Sequence, residues 1–233
     1  MRTRVVIALA LTAALVTTSA GHLGDHLGTR TSARALLREA KASLDSTRAV
    51  HFQLSSKNLT GSGTNLSAGK GDAVRPDGLR GSFTVSVGGL SAAMDVAAKG
   101  GVFEVKLPFA TSYSKTNPAA LGLGNPAQLL NRATGLSAIL TNGTGTHLSG
   151  QKRIGGELLD TVTTEVPGSA VPILPIASPT RPVTLVAAID PHDHQLRQLS
   201  LIGYFDSTRS TATYVLRLTK YGEPVSITLP PAT

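Results

Sequence analysis

Apolar and polar residues alternate from Val50 onward. Val50, Phe52 and Leu54 are separated by His51, Gln53 and Ser55, the period of a half-buried strand. The same period returns at Phe83, Val85 and Val87, closed by Gly88-Gly89, and at Phe103, Val105 and Leu107, closed by Pro108. Leu90 to Ala98 reads as the strand between these two, turned back by Gly100-Gly101. Residues 57–72 are rich in Gly, Ser, Thr and Asn and predict a hairpin with a loose rim, and Pro76-Asp77-Gly78 is a turn signal. A second strand-forming region opens near Thr146 and includes the alternating stretch Leu158–Thr163. Further strands are expected at 183–189, 196–205, 211–220 and 225–229, with turns at Asp190-Pro191, Asp206-Ser207 and Tyr221-Gly222-Glu223-Pro224.

Elsewhere the period is helical. Ala33, Leu36, Leu37, Ala40 and Leu44 fall on one side of a helix that Ser32 can cap and that runs to about Ser46. Asn125-Pro126 opens a short helix carrying Leu129 and Leu130, and Thr134 can cap a second one over Leu136 to Leu140. Residues 110–124 read as loop. Residues 167–182 hold five prolines around Val171, Ile173, Leu174 and Ile176. So many prolines exclude a central strand, so this apolar stretch is expected to cover something greasy. The whole is an α+β chain of nine or ten antiparallel strands with about three helices. Either a strongly curved sheet wraps around the helices, or a filled sandwich carries them outside.

The composition narrows the interior. Nine residues of 233 are aromatic, and there is no tryptophan and no cysteine. The core must therefore be built from small aliphatic side chains or stay partly open. Arg2 and Arg4, the apolar run Val5–Val16 and Thr18-Ser19-Ala20 form a secretory leader, too short to span a bilayer as a settled helix. The expected organisation is a signal peptide over 1–20, a flexible tether over 21–31 and one domain over 32–233. Ser19-Ala20-Gly21 would lead into a lipidated cysteine, but His22 follows. A thioether-linked lipid anchor needs that sulfur and cannot form on this sequence.

The formal charge is +8, or +6 without the leader arginines. The cations are dispersed, and stacking aromatics are few, which argues against nucleic acid. Anionic headgroups or envelope polymers suit an exported basic protein better. Catalytic signals are absent: there is no Gly-x-Ser-x-Gly elbow and no Walker loop. His192-Asp193-His194 is a close cluster, but it falls in a turn and reads as solvated; no metal, cofactor or catalytic residue is assigned.

Five stretches carry a resemblance. Arg48-Ala49-Val50-His51-Phe52 after the first helix, Gly81–Gly89, and Asn125-Pro126-Ala127-Gln128-Leu129-Leu130-Asn131 running into Thr134-Gly135-Leu136 are the first three. Asp193-His194-Gln195-Leu196 and Tyr221-Gly222-Glu223-Pro224-Val225 complete them. In this order, over about residues 32–231, the chain resembles the LppX/LprAFG family of mycobacterial and actinobacterial envelope lipoproteins. The resemblance implies a strongly curved antiparallel half-barrel with helices on its concave side, enclosing an apolar cavity for multi-acyl lipids. It implies non-catalytic binding and transport or presentation of triacylglyceride, glycolipid or wax-like lipids in the cell envelope. It also implies contact with a membrane surface, a lipid exporter as partner, and a monomer. The expected ligand-binding residues are Phe83, Val85, Val87, Phe103, Val105 and Leu107 from strands, with Leu129, Leu136, Ile139 and Leu140 from helices. Ile173, Leu174 and Ile176 are expected at the mouth. The competing expectation is an envelope module with a filled core that docks a protein or anionic polymer through its basic surface.

Overall fold

The computed structural model describes residues 32–231 apart from 62, 88, 89, 122, 123 and 175, so the expected leader and tether and the Gly88-Gly89 turn lie outside the described residues. The first helix, α1 (Ala33–Ser46), starts where Ser32 accepts a hydrogen bond from the Ala35 amide, and it buries Ala33, Leu36, Leu37, Ala40 and Leu44. Six strands follow: β1 (Ala49–Lys57), β2 (Thr64–Val74), β3 (Gly78–Val87), β4 (Leu90–Lys99), β5 (Val102–Lys106) and the two-residue β6 (Ser114–Lys115). After the short helix α2 (Leu136–Thr141) come β7 (Thr144–Ile154), β8 (Glu157–Pro167), β9 (Pro182–Ile189), β10 (Leu196–Gly203) and β11 (Ala212–Thr219).

All eleven strands join one antiparallel sheet in the order β6-β5-β4-β3-β2-β1-β11-β10-β9-β8-β7. Two meanders are thus stitched together by the pairing of β1 with β11, in which Phe52 faces Leu218 and Leu54 faces Leu216. The register aligns one row of inward residues across eight strands: Met94, Phe83, Gly69, Leu54, Leu216, Leu199, Ala187 and Val162. Every member of this row is buried. Gly69 is required there by space. A Cβ at that position would stand 2.5 Å from Cδ1 of Phe83, whose ring stacks toward Phe52 at 5.8 Å between centroids.

The structure corrects the half-barrel expectation. The sheet is one open sheet whose edges, β6 and β7, are not joined, rather than a strongly curved trough, and the described residues form two α-helices rather than about three. A period of two states which face is buried but not how far a sheet bends. Three further readings change. The Gly/Ser-rich stretch expected as a loose hairpin supplies the eleven-residue strand β2. Residues 225–229 form no strand. Finally, β5 stops at Lys106, so Leu107 leaves the inward face and is 47% exposed. The turn at Pro108-Phe109, closed by the Ala110 amide on the Leu107 carbonyl at 3.1 Å, breaks the alternation that placed Leu107 inside.

Candidate functional site

The apolar face of the sheet is covered by α1, α2 and two irregular segments. The first segment begins where the Asn125 side chain accepts from the Ala127 amide and starts a single 3-10 turn, Pro126–Gln128. It continues through Leu129 and Leu130, both buried. The Asn131 side chain then accepts from the amides of Ala133 and Thr134 at 2.9 and 3.1 Å. Gly135, not Thr134, stands at the start of α2, with no side-chain cap. The second segment is Val171–Leu174, with Val171, Ile173 and Leu174 buried. The two segments meet closely at Gly124, where a Cβ would lie 2.5 Å from the carbonyl carbon of Ile173.

Arg75 fastens the first segment to α1. Its Nη2 donates to the Leu44 carbonyl at 2.7 Å, its Nε to the Thr47 carbonyl at 2.8 Å, and its Nη1 to the Leu130 carbonyl. Asp45 stands 3.5 Å from the same guanidinium and 2.7 Å from Lys41 Nζ. Partial burial works against the charge of Asp45, but Lys41 and Arg75 together hold its pKa below the ordinary carboxylate value.

Between sheet and cover lies an apolar hollow of about 40 Å³. Phe52, Leu54, Leu66, Leu79, Phe83 and Leu129 line it, with Ile173, Leu174, Leu201, Leu216 and Pro126 completing a wall without a polar side chain. A smaller void of about 10 Å³ adjoins it, bounded by Leu66, Phe83, Met94, Val96, Phe103, Pro126 and Ile173.

The residues singled out from sequence divide accordingly. Phe83, Leu129, Ile173 and Leu174 line the hollow, and Phe103 lines the smaller void. Val105, Leu136, Ile139 and Leu140 are buried in the same core without lining either space, and Val85 and Ile176 are partly buried against it. Leu107 points to solvent, as described above, and the Val87 side chain is outside the described residues. Sequence reasoning left out Phe52, Leu54, Leu66, Leu79, Pro126, Leu201 and Leu216 as lining residues. Leu201 and Leu216 sit in strands it recognised, where alternation could have found them; Leu66 is hidden in the Gly/Ser-rich stretch.

The polar groups near this core do no evident chemistry. The Tyr214 hydroxyl is buried without a partner, and burial, with Asp206 nearby, pushes its pKa far above the ordinary phenol value. The His192-Asp193-His194 turn is organised by Asp190, whose carboxylate accepts from the His192 amide at 2.8 Å, while Arg197 bridges Asp190 and Asp193. Among the described residues no cluster of His, Asp or Glu could hold a metal ion.

Comparison with known proteins places this arrangement. The family model described as LppX_LprAFG lipoprotein matches residues 32–227. The lipoarabinomannan carrier protein LprG of Mycobacterium tuberculosis is 29% identical over 202 residues, covering 85% of this chain and 82% of its own length, and its Mycobacterium bovis counterpart matches equally. Among solved structures, LprF from Mycobacterium bovis superposes with a TM-score of 0.68 at 17% identity, over 85% of this chain and 96% of that one. The Mycobacterium tuberculosis lipoprotein LppX gives 0.59 at 21% identity, over 84% and 98%. These two structures share the fold.

Proposed function

Because the chain belongs to the LppX_LprAFG lipoprotein family, we propose that it binds the acyl chains of a lipid or glycolipid between its sheet and its cover and carries them through the cell envelope without chemical change. One observation carries the reading: the wall of the hollow is entirely apolar. Such a wall selects hydrocarbon and ignores headgroups, so triacylglyceride, glycolipid and wax-like ligands all satisfy it. The likeness to a lipoarabinomannan carrier supports the same class of cargo.

The volume changes how loading must work. Sites for small molecules usually occupy about 300–1,000 Å³, and the hollow is about 40 Å³. The described form is therefore too tight for an acyl chain, and a chain enters only as the cover lifts. The cover suits that movement. Ile173 and Leu174 come from a segment whose described backbone hydrogen bonds are local, Val171 to Gly168 and Leu174 to Val171, with neither reaching a strand. Sparse bonding of this kind marks the low-stability end of a fold. Each buried CH₂ returns roughly 0.8 kcal/mol, so two or three acyl chains readily offset the cost of displacing a few side chains.

The filled-core alternative is favoured by that same small volume, and one experiment separates the two. Native mass spectrometry of protein purified from its own host is expected to show co-purified acyl lipid that shifts the mass by one ligand. Lipid-free protein from lipid-replete cells would sink the carrier reading and leave the binding module.

Delivery requires a membrane, and one end of the sheet supports that contact. Antiparallel strands send the 58–63, 107–113, 168–181 and 204–211 connections to the same end. Phe109 is fully exposed there in a left-handed conformation with φ of 66°, and Leu90 is 80% exposed at the neighbouring hairpin. Lys57, Lys106, Arg181 and Arg209 stand in or beside these loops, and Asp206 is turned inward to the amides of Thr60 and Gly61. Apolar tips among cations suit an anionic bilayer surface. Phe109→Ser is expected to weaken co-sedimentation with phosphatidylglycerol-containing vesicles by about tenfold, with an unchanged melting curve; equal sedimentation would remove this rim from the proposal. A lipid exporter as partner and a monomeric carrier belong to the same reading.

A further inference from the structure

A broad concavity lies on the opposite face of the sheet, away from the acyl hollow. It measures about 550 Å³ and runs over β1, β11, β10 and β9, with Lys152 of β7 at its side. The register lays its floor out in rows. Gln53, Arg217 and Gln198 form one; Ser55, Val215, Ser200 and Val186 form the next; Lys57, Thr213 and Ile202 form the third. These are the outward positions of the same strands whose inward positions build the core, so the groove follows from the alternation itself.

Its chemistry is one-sided. Three cations, Lys57, Lys152 and Arg217, line it and no carboxylate does. Among the described residues none of the three makes a salt bridge. Gln198 is 7% exposed at the bottom, where its Oε1 accepts from Arg217 Nε at 3.2 Å. That bond fixes the guanidinium plane and leaves its two terminal nitrogens free of ion pairs. The Gln198 amide nitrogen has only a 3.4 Å contact to Ser200 Oγ, long for such a bond. Around it Ser55, Ser200, Thr213 and Gln53 supply groups that both donate and accept. Val186, Val215 and Ile202 supply small apolar patches between them.

We propose that this groove binds an acidic oligosaccharide. The cations match its negative charge, the hydroxyl and amide rows match its hydroxyl groups, and the aliphatic patches match the C–H faces of sugar rings. Neutral glycans lack the charge, and a plain polyanion makes no use of the hydroxyl rows. The site is independent of acyl binding, because it occupies the other side of the sheet.

The test uses the mature protein and three probes in calorimetric titration: sulfated dextran, neutral dextran of equal length, and polyglutamate. The parent is expected to bind sulfated dextran more tightly than either of the others. Lys57→Gln with Arg217→Gln is expected to weaken that binding by about tenfold or more, the scale of lost charge-assisted hydrogen bonds. Gln198→Leu, which keeps every charge, is expected to weaken sulfated dextran and leave polyglutamate unchanged. Arg80→Gln with Lys115→Gln removes two exposed cations outside the groove and is expected to leave binding of all three probes unchanged. Equal loss in that control would reduce the effect to net charge and overturn the site. Equal affinity for polyglutamate, with no effect of Gln198→Leu, would overturn the saccharide. Circular dichroism of each variant excludes misfolding, and the acyl-lipid content of the groove variants is expected to equal the parent's, so the carrier reading stands or falls separately.

Discussion

Replacing Arg75 with alanine is expected to cost about 2–4 kcal/mol of stability and to loosen the cover. The guanidinium satisfies the carbonyls of Leu44, Thr47 and Leu130 at once. Its side chain is only 16% exposed, so water does not easily take its place. Two of those carbonyls belong to the end of α1, whose last turn holds no basic residue to meet them. The third belongs to the segment that closes the hollow. Alanine therefore leaves the Thr47 and Leu130 carbonyls short of a donor, while the Leu44 carbonyl keeps the Thr47 amide at 3.2 Å, and it removes one tie between helix and cover, leaving that of Arg132 to the Asp45 carbonyl. Urea denaturation measures the total, and hydrogen exchange at residues 126–131 measures the local part. Arg75→Lys is expected to recover little, since an ammonium lacks the planar fork that reaches three acceptors. A loss below about 1 kcal/mol, with no faster exchange at 126–131, would show that packing and the bonds of Arg132 to the Asp45 carbonyl hold the cover without Arg75.

Phe83→Trp is expected to abolish most acyl-lipid loading while also lowering stability by about 1–3 kcal/mol. The ring of Phe83 lies against Gly69, stacks on Phe52 and borders both apolar spaces. The larger indole has about 40 Å³ to grow into, the space that the proposed carrier function gives to an entering acyl chain. Filling it removes the starting point for lifting the cover, and the surplus volume strains the core. Lipid extraction and mass spectrometry of mutant and parent, prepared alike, give the loading, and a urea transition gives the stability. Full loading in a folded variant would move the acyl site away from this end of the sheet. Phe83→Leu, which opens space instead, is expected to load at least as much as the parent.

Both expectations depend on what could be read from the chain and what could not. Val50, Phe52, Leu54, Phe83, Phe103 and Val105 were legible as inward positions because a strand's alternation is written in neighbouring residues. The amphipathic stripe of α1 and its Ser32 cap were legible for the same reason. The stretch around Asn125–Leu136 was legible as a covering segment and carried much of the family likeness, but the helix expected to carry Leu129 and Leu130 is a 3-10 turn that ends at Gln128. Other features were written only across distance. Leu66 sits among small polar residues, and nothing local reveals that it borders the hollow. Leu107 continued an alternation that a turn interrupts.

The sequence by itself determined which residues of α1 and of the clearest strands face inward, that the core is largely aliphatic and free of cysteine, and which family the chain joins. Each of these is a property of local order or composition. Only the tertiary structure decided that β1 and β11 pair, that one row of side chains runs unbroken from Met94 to Val162, and that Arg75 ties α1 to the cover. It also decided that the sheet stays open and the hollow nearly closed, and that Lys57, Lys152 and Arg217 share one groove. The reason is physical: period fixes the face a side chain takes, whereas register and packing between segments far apart in the chain fix what it meets there.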